Sequence, residues 1–188
     1  MNLIIFGPPG AGKGTQANFI VNKFNLYQLS TGQILRNEIK NKTELGKEIS
    51  SIINSGSLVS DEVVKKLVEN FISDQKYNNR LIFDGYPRNL TQAKTLNELL
   101  TKYDQKINLV LKLSVSLKTI KKRILERRNI EKRADDNEEN AIKRYETYEK
   151  STEPVIEYYK KLNLLKLING ERSIDQINKE ISDIISLI

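Results

Sequence analysis

The chain has 188 residues, 38% of them apolar and 29% charged, with a formal net charge of +7. That is enough for one α/β domain with a sizeable core and too apolar for a disordered chain. No apolar run approaches the roughly 18 residues of a membrane span, no basic leader precedes the first apolar run, and no cysteine is present, so a cytoplasmic protein without disulfides or a thiolate zinc site is expected.

The elements follow in chain order. Residues 3–6, Leu-Ile-Ile-Phe, form a short continuous apolar run, as in strands buried on both faces. A glycine-rich stretch follows, then Ala17, Phe19, Ile20 and Phe24 at helical spacing. Residues 27–29 read as a second strand. A helix opens at residues 30–32 with Ile34, Leu35 and Ile39 on one side, and Leu45, Ile49, Ile52 and Ile53 predict another that ends near Gly56. Ser60 stands as N-cap before Val63, Val64, Leu67, Val68 and Phe71. Residues 80–84 are a third strand, stopped by Gly85-Tyr86-Pro87, and residues 90–100 a helix. Residues 107–113 are a fourth strand and 117–128 a helix. Residues 129–136 read as a polar loop, 138–162 as one long helix kinked near Pro154, 164–168 as a fifth strand and 174–188 as a last helix. Strands alternating with helices predict a parallel sheet covered on both faces.

Residues 7–16 read GPPGAGKGTQ. This is close to the phosphate-binding pattern G-x-x-x-x-G-K-[ST], but Gly14 stands where a hydroxyl is expected and Thr15 comes one residue late. Strand, glycine turn and helix together make an anion cradle, because backbone N–H groups converge at the positive end of the helix and Lys13 reaches the outer phosphates. Asp84 ends an apolar strand, where an acid beside such a loop handles Mg²⁺ through water.

Of nine arginines, five lie between positions 123 and 144. Arg123 and Arg127 share a helix face at i, i+4. Lysine is the common cation elsewhere, so arginine in this region suits forked contacts to phosphate. Arg80 and Arg128 read as solvated surface. The lysines interleave with glutamates along helices, as in residues 118–126, which argues against a nucleic-acid binder.

There is no histidine, the commonest general base. A phosphate acceptor needs none, since its second pKa of about 6 leaves it largely a dianion at neutral pH. A phosphate loop with an arginine cluster therefore fits transfer between two phosphates, by positioning and charge neutralisation.

Six stretches in order carry a family resemblance: GPPGAGKGTQA (7–17), LSTGQILR (29–36), GSLVSDEVV (56–64), FDGYPRNLTQA (83–93), RILERR (123–128) and RADDNEENAIKRYETY (133–148). Together they make the chain similar to the adenylate kinases of the nucleoside monophosphate kinase family. The resemblance implies a P-loop kinase fold with a five-stranded parallel sheet and a core of residues 1–29, 60–126 and 138–188. It also implies a helical AMP-binding flap at 30–59 and a short lid at 127–137. The implied reaction is ATP + AMP ⇌ 2 ADP with Mg²⁺, in a monomer with no zinc and no nucleic-acid or membrane partner.

By motif matching, Gly10, Ala11, Gly12, Lys13, Gly14 and Thr15 hold the ATP phosphates. Thr31, Arg36 and the backbone of Ser57, Leu58 and Val59 contact AMP. Gly85, Tyr86, Pro87 and Arg88 lie along the AMP phosphate, and Gln92 reads adenine. Arg123, Arg127, Arg133 and Arg144 surround the phosphates, the first two toward ATP and the last two toward AMP. The backbone of Arg172 meets the ATP base. Relatives acting on UMP or CMP tend to have alanine at the place of Thr31 and asparagine near Gln92, so AMP is expected, with a UMP/CMP kinase or another small-molecule kinase as the alternative. A non-catalytic GTP switch would carry N-K-x-D, which is absent. Gly14 then matches the GKGT ending of this family. The lid, RRNIEKR, lacks glycine, so its hinges fall to the adjoining helix ends.

Overall fold

The computed structural model describes residues 1–55, 57–131 and 136–188. Arg133 and Gly56 lie outside them. Five parallel strands, β1 (Asn2–Phe6), β2 (Tyr27–Ser30), β3 (Leu81–Asp84), β4 (Ile107–Ser114) and β5 (Leu165–Asn169), stand in the order β2-β3-β1-β4-β5.

Alternation along the strands divides the core between two faces. Leu3 and Ile5 pack with Ile82, Leu109 and Leu111 against Ala17 and Ile20 of α1 (Lys13–Phe24) and Ile177 and Ile181 of α9 (Ile174–Ile185). Ile4 and Phe6 pack with Phe83 and Val110 on the other face, beneath α4 (Asp61–Ser73), α5 (Leu90–Lys102) and α8 (Glu153–Lys161). A strand covered on both sides needs apolar residues at every position, which is why β1 reads as a continuous run. Each such fully buried aliphatic side chain contributes about 1.5–3 kcal/mol.

The chain lays β2 and β3 on one side of β1, then crosses to β4 and β5 on the other. In open parallel sheets ligands bind beyond the carboxyl ends of the strands at such a reversal. The glycine loop leaves β1 at that point.

Helices α2 (Thr31–Lys40) and α3 (Glu44–Asn54) form a hairpin between β2 and α4. They cross closely at Gly46, where an added Cβ would lie 2.1 Å from the Glu38 carbonyl oxygen.

Two sequence expectations are corrected. Helix α6 (Leu117–Glu131) runs through Asn129, Ile130 and Glu131, which were read as loop; none of these residues breaks a helix, and polarity alone does not end one. The long helix at 138–162 is two helices, α7 (Glu138–Ser151) and α8, divided at Thr152. Pro154 occupies the first turn of α8, where its missing N–H has no intrahelical partner to lose, so the chain restarts instead of kinking. Ser60 precedes α4 as expected, although its side chain makes no capping bond. Among the described residues no helix is long and apolar enough to cross a membrane.

Candidate active site

The loop between β1 and α1 reverses the chain with left-handed residues. Gly10 has φ +82° and Gly12, the N-cap of α1, has φ +96°. A Cβ at Gly10 would also press against Ile124 and the Ile120 carbonyl of α6, at 3.1 and 3.2 Å. No side chain caps α1, so its positive end is presented to the crevice. Ala11 is buried, while Gly14 and Thr15 are exposed in the first turn. A Cβ at Gly14 would meet nothing within 4 Å. The protein alone therefore does not require glycine there.

Lys13 folds back over the loop, its Nζ donating to the carbonyls of Gly7 (2.7 Å) and Pro8 (3.1 Å). Burial lowers its pKa to about 8. The guanidiniums of Arg88, Arg144 and Arg127 contribute to that lowering, and the Asp84 carboxylate opposes it. These four groups, drawn from three separate stretches, thus act on one ammonium. Arg88 is lowered to about 10, by burial first and then by Arg144, again against Asp84.

Asp84 ends β3, level with Ile5 of β1 and Ser30 of β2, and is largely buried. Gln28, absent from the expected site, donates to its Oδ2 at 2.9 Å. Among the described residues no three carboxylate or imidazole side chains gather into a metal cage. One carboxylate at the mouth of a phosphate cradle does fit Mg²⁺, which keeps most of its waters and takes further oxygens from phosphates.

Beside Asp84, the Thr31 hydroxyl donates to the Gly85 carbonyl at 3.0 Å, and Arg88 Nε donates to the same oxygen at 2.7 Å. Arg36 curls back along α2, with Nη1 3.2 Å from where a Gly32 Cβ would stand. Tyr86 differs from its neighbours: its ring is in the core, its hydroxyl donates to the Gln92 carbonyl, and burial raises its pKa.

Gln92 is buried at the start of α5. Its Oε1 accepts the Arg88 N–H at 2.7 Å and its Nε2 donates to Asp61 Oδ1 at 2.7 Å, while Asn89 caps α5 and donates to the same carboxylate. This orients the amide and leaves one lone pair and one N–H for a ligand. Asp61 escaped the sequence reading because an acid after an N-cap looks like ordinary first-turn chemistry.

On the opposite wall, Arg127 pairs with Asp136 through two bonds of 2.6 Å, and Arg144 of α7 lies 3.6 Å from the same carboxylate. Asp136 has no solvent exposure. It too was missed; the signal was an acid between the arginines at 127 and 144. Arg123 joins three pieces of backbone, donating to Gly170 O (3.0 Å) and Ala11 O (3.3 Å) from α6. The Arg172 side chain turns away to Glu180, which leaves its backbone at the 170–172 loop. Arg128 is exposed, as expected.

Comparison with known proteins agrees with this geometry. Residues 5–164 match the family model described as adenylate kinase. The chain is 44% identical to an adenylate kinase of Pelagibacter ubique, with 100% of both chains covered. It is 41% identical to one from Fusobacterium nucleatum subsp. nucleatum, over 98% of each chain. It is 40% identical to one from Flavobacterium psychrophilum, over 99% of this chain and 98% of the relative.

Proposed function

The chain belongs to the adenylate kinase family, and from that premise we propose how its residues divide one reaction between them. The enzyme is an ATP:AMP phosphotransferase, catalysing ATP + AMP ⇌ 2 ADP. The family works on ATP, AMP and ADP, with ATP as its Mg²⁺ complex.

Backbone N–H groups from Gly10 to Thr15 and the Lys13 ammonium hold the ATP phosphates, with the 170–172 backbone against the ATP base. Thr31, Arg36, the backbone at Ser57, Leu58 and Val59, and Arg88 hold AMP. Gln92 reads adenine with the donor and acceptor its internal bonds leave over. An AMP phosphate oxygen attacks the γ-phosphorus as the bond to the bridging oxygen of ADP breaks. No proton need move, which suits a chain without histidine. Arg88, Arg123, Arg127, Arg133 and Arg144 neutralise the spreading charge. Mg²⁺ supplies further neutralisation when bound with ATP, and Asp84 would hold it through water. The chain has neither cysteine nor histidine, the usual zinc donors, so no zinc enters this reading.

The flap at 30–59 and the lid at 127–137 are the parts that close. Only residues 129–132 separate Arg128 from Arg133, which supports a compact lid. The same reading takes the enzyme as a monomer acting in the cytoplasm, where adenine nucleotides turn over.

The observation that carries this assignment is the arrangement of Lys13 over the glycine loop, Arg88 on the Gly85 carbonyl beside Asp84, and Arg127 and Arg144 on one buried carboxylate. A coupled assay with ATP and each of AMP, CMP, UMP and GMP tests it. AMP is expected to lead in kcat/KM by at least about tenfold. Equal use of UMP or CMP would favour the pyrimidine reading instead.

A further inference from the structure

The C-terminal end of α3 is held by two side chains from a distant helix. Asn140 Nδ2 donates to the Asn54 carbonyl at 3.1 Å. Lys143 Nζ donates to the Ser55 carbonyl at 2.9 Å, with Ser57 Oγ 3.4 Å away. Asn140 and Lys143 stand three residues apart on α7 and so share a face.

The chemistry of this contact is that of a helix end. The last carbonyls of a helix lack intrahelical donors and carry the negative end of its dipole. Helix α3 has no basic residue in its last turn. Its own closure uses the Ser57 N–H, which returns to Ile52 O at 3.0 Å, and the Ser55 hydroxyl, which donates to the same carbonyl at 2.9 Å. Lys143 supplies the missing cation from outside. It sits where α3 ends and the segment 57–59 begins. The next residue on α7, Arg144, reaches Asp136 instead, at 3.6 Å. A single turn of α7 therefore fixes both the exit of the flap and a phosphate-binding arginine.

We propose that Lys143, assisted by Asn140, is a positioning residue for AMP: it docks the end of α3 so that the 57–59 backbone is held at a set distance from Arg144. The inference rests on the reading of residues 57–59 as part of the AMP site. Lys143 touches neither nucleotide. Its loss loosens AMP alone and leaves ATP binding and the chemical step intact.

Steady-state kinetics of the full chain, with AMP and ATP varied in turn, test this on Lys143→Ala, Lys143→Arg and Asn140→Ala, beside Arg36→Ala as a direct AMP-site control. Lys143→Ala is expected to raise KM for AMP about three- to tenfold, with kcat, KM for ATP and Tm unchanged. Lys143→Arg keeps the cation and is expected to restore KM for AMP to within about twofold of wild type. Asn140→Ala has a smaller effect of the same kind. The proposal is overturned if KM rises equally for AMP and ATP, if Tm falls with it, or if arginine does no better than alanine. If Arg36→Ala raises KM for AMP and Lys143→Ala does not, the docking role is wrong and the AMP reading stands. Without AMP-dependent turnover in wild type, the AMP reading itself fails.

Discussion

Arg127 near the end of α6 and Asp136 just before α7 form a two-pronged ion pair, both bonds 2.6 Å long, around a carboxylate sealed from solvent. Arg144 leans on the same carboxylate. Two guanidiniums that would repel are thereby held on one counterion, and both bear electrostatically on Lys13. An active site that gathers cations for phosphate needs such a counterion while phosphate is absent.

Replacing Asp136 by asparagine keeps the shape and removes the charge. The arginines should separate, with a loss of about 1–3 kcal/mol in stability. The kcat should fall about tenfold or more, because the charge that stabilises the transition state is misplaced. Thermal unfolding and initial rates on the same sample check this, and a variant with wild-type kcat would remove Asp136 from the site.

Lys13 gives a pH dependence with a defined sign. Its folded pKa of about 8 lies below the unfolded lysine value of about 10.4. Between those values the unfolded chain binds more protons, so stability rises with pH across this window and the penalty of burying the charge is full below pH 8. Activity runs the other way. The ammonium is the form that holds phosphate, so kcat/KM for ATP, which reports the free enzyme, should decline as pH rises through about 8. Lys13→Met should abolish that limb and lower kcat about a hundredfold or more. It should also unfold no more readily at pH 7 than wild type, since it removes a buried charge.

Gln92 tests base choice. Gln92→Leu leaves the Arg88 N–H and the Asp61 carboxylate without their amide partner, which costs about 1–3 kcal/mol of stability. The ratio of kcat/KM for AMP over CMP should drop about tenfold or more. Asp61→Asn, which weakens the support of the amide and of Asn89 but keeps the amide itself, should move the ratio less. Competition assays with paired nucleotides measure both.

Gly46→Ala isolates the flap. The new Cβ meets the Glu38 carbonyl at 2.1 Å, and backbone cannot swing aside as a side chain can. Helices α2 and α3 must part, at a cost of about 1–3 kcal/mol. KM for AMP should rise with KM for ATP unchanged. Equal changes in both would mean that the hairpin bears on the whole site.

By itself the sequence determined the parallel sheet, the phosphate loop and the arginine supply. Continuous apolar runs such as residues 3–6 can be buried only on both faces, and Gly10 and Gly12 stand where left-handed backbone is needed. These are local constraints, written in adjacent residues. Tertiary structure alone decided which polar groups hold others in place. Gln28 on Asp84, Asp61 on Gln92, Asp136 between Arg127 and Arg144, and Lys143 on the end of α3 join residues 8 to 88 positions apart. No periodicity marks such pairs, because hydrogen bonds depend on distance in space and the sheet order decides which segments meet.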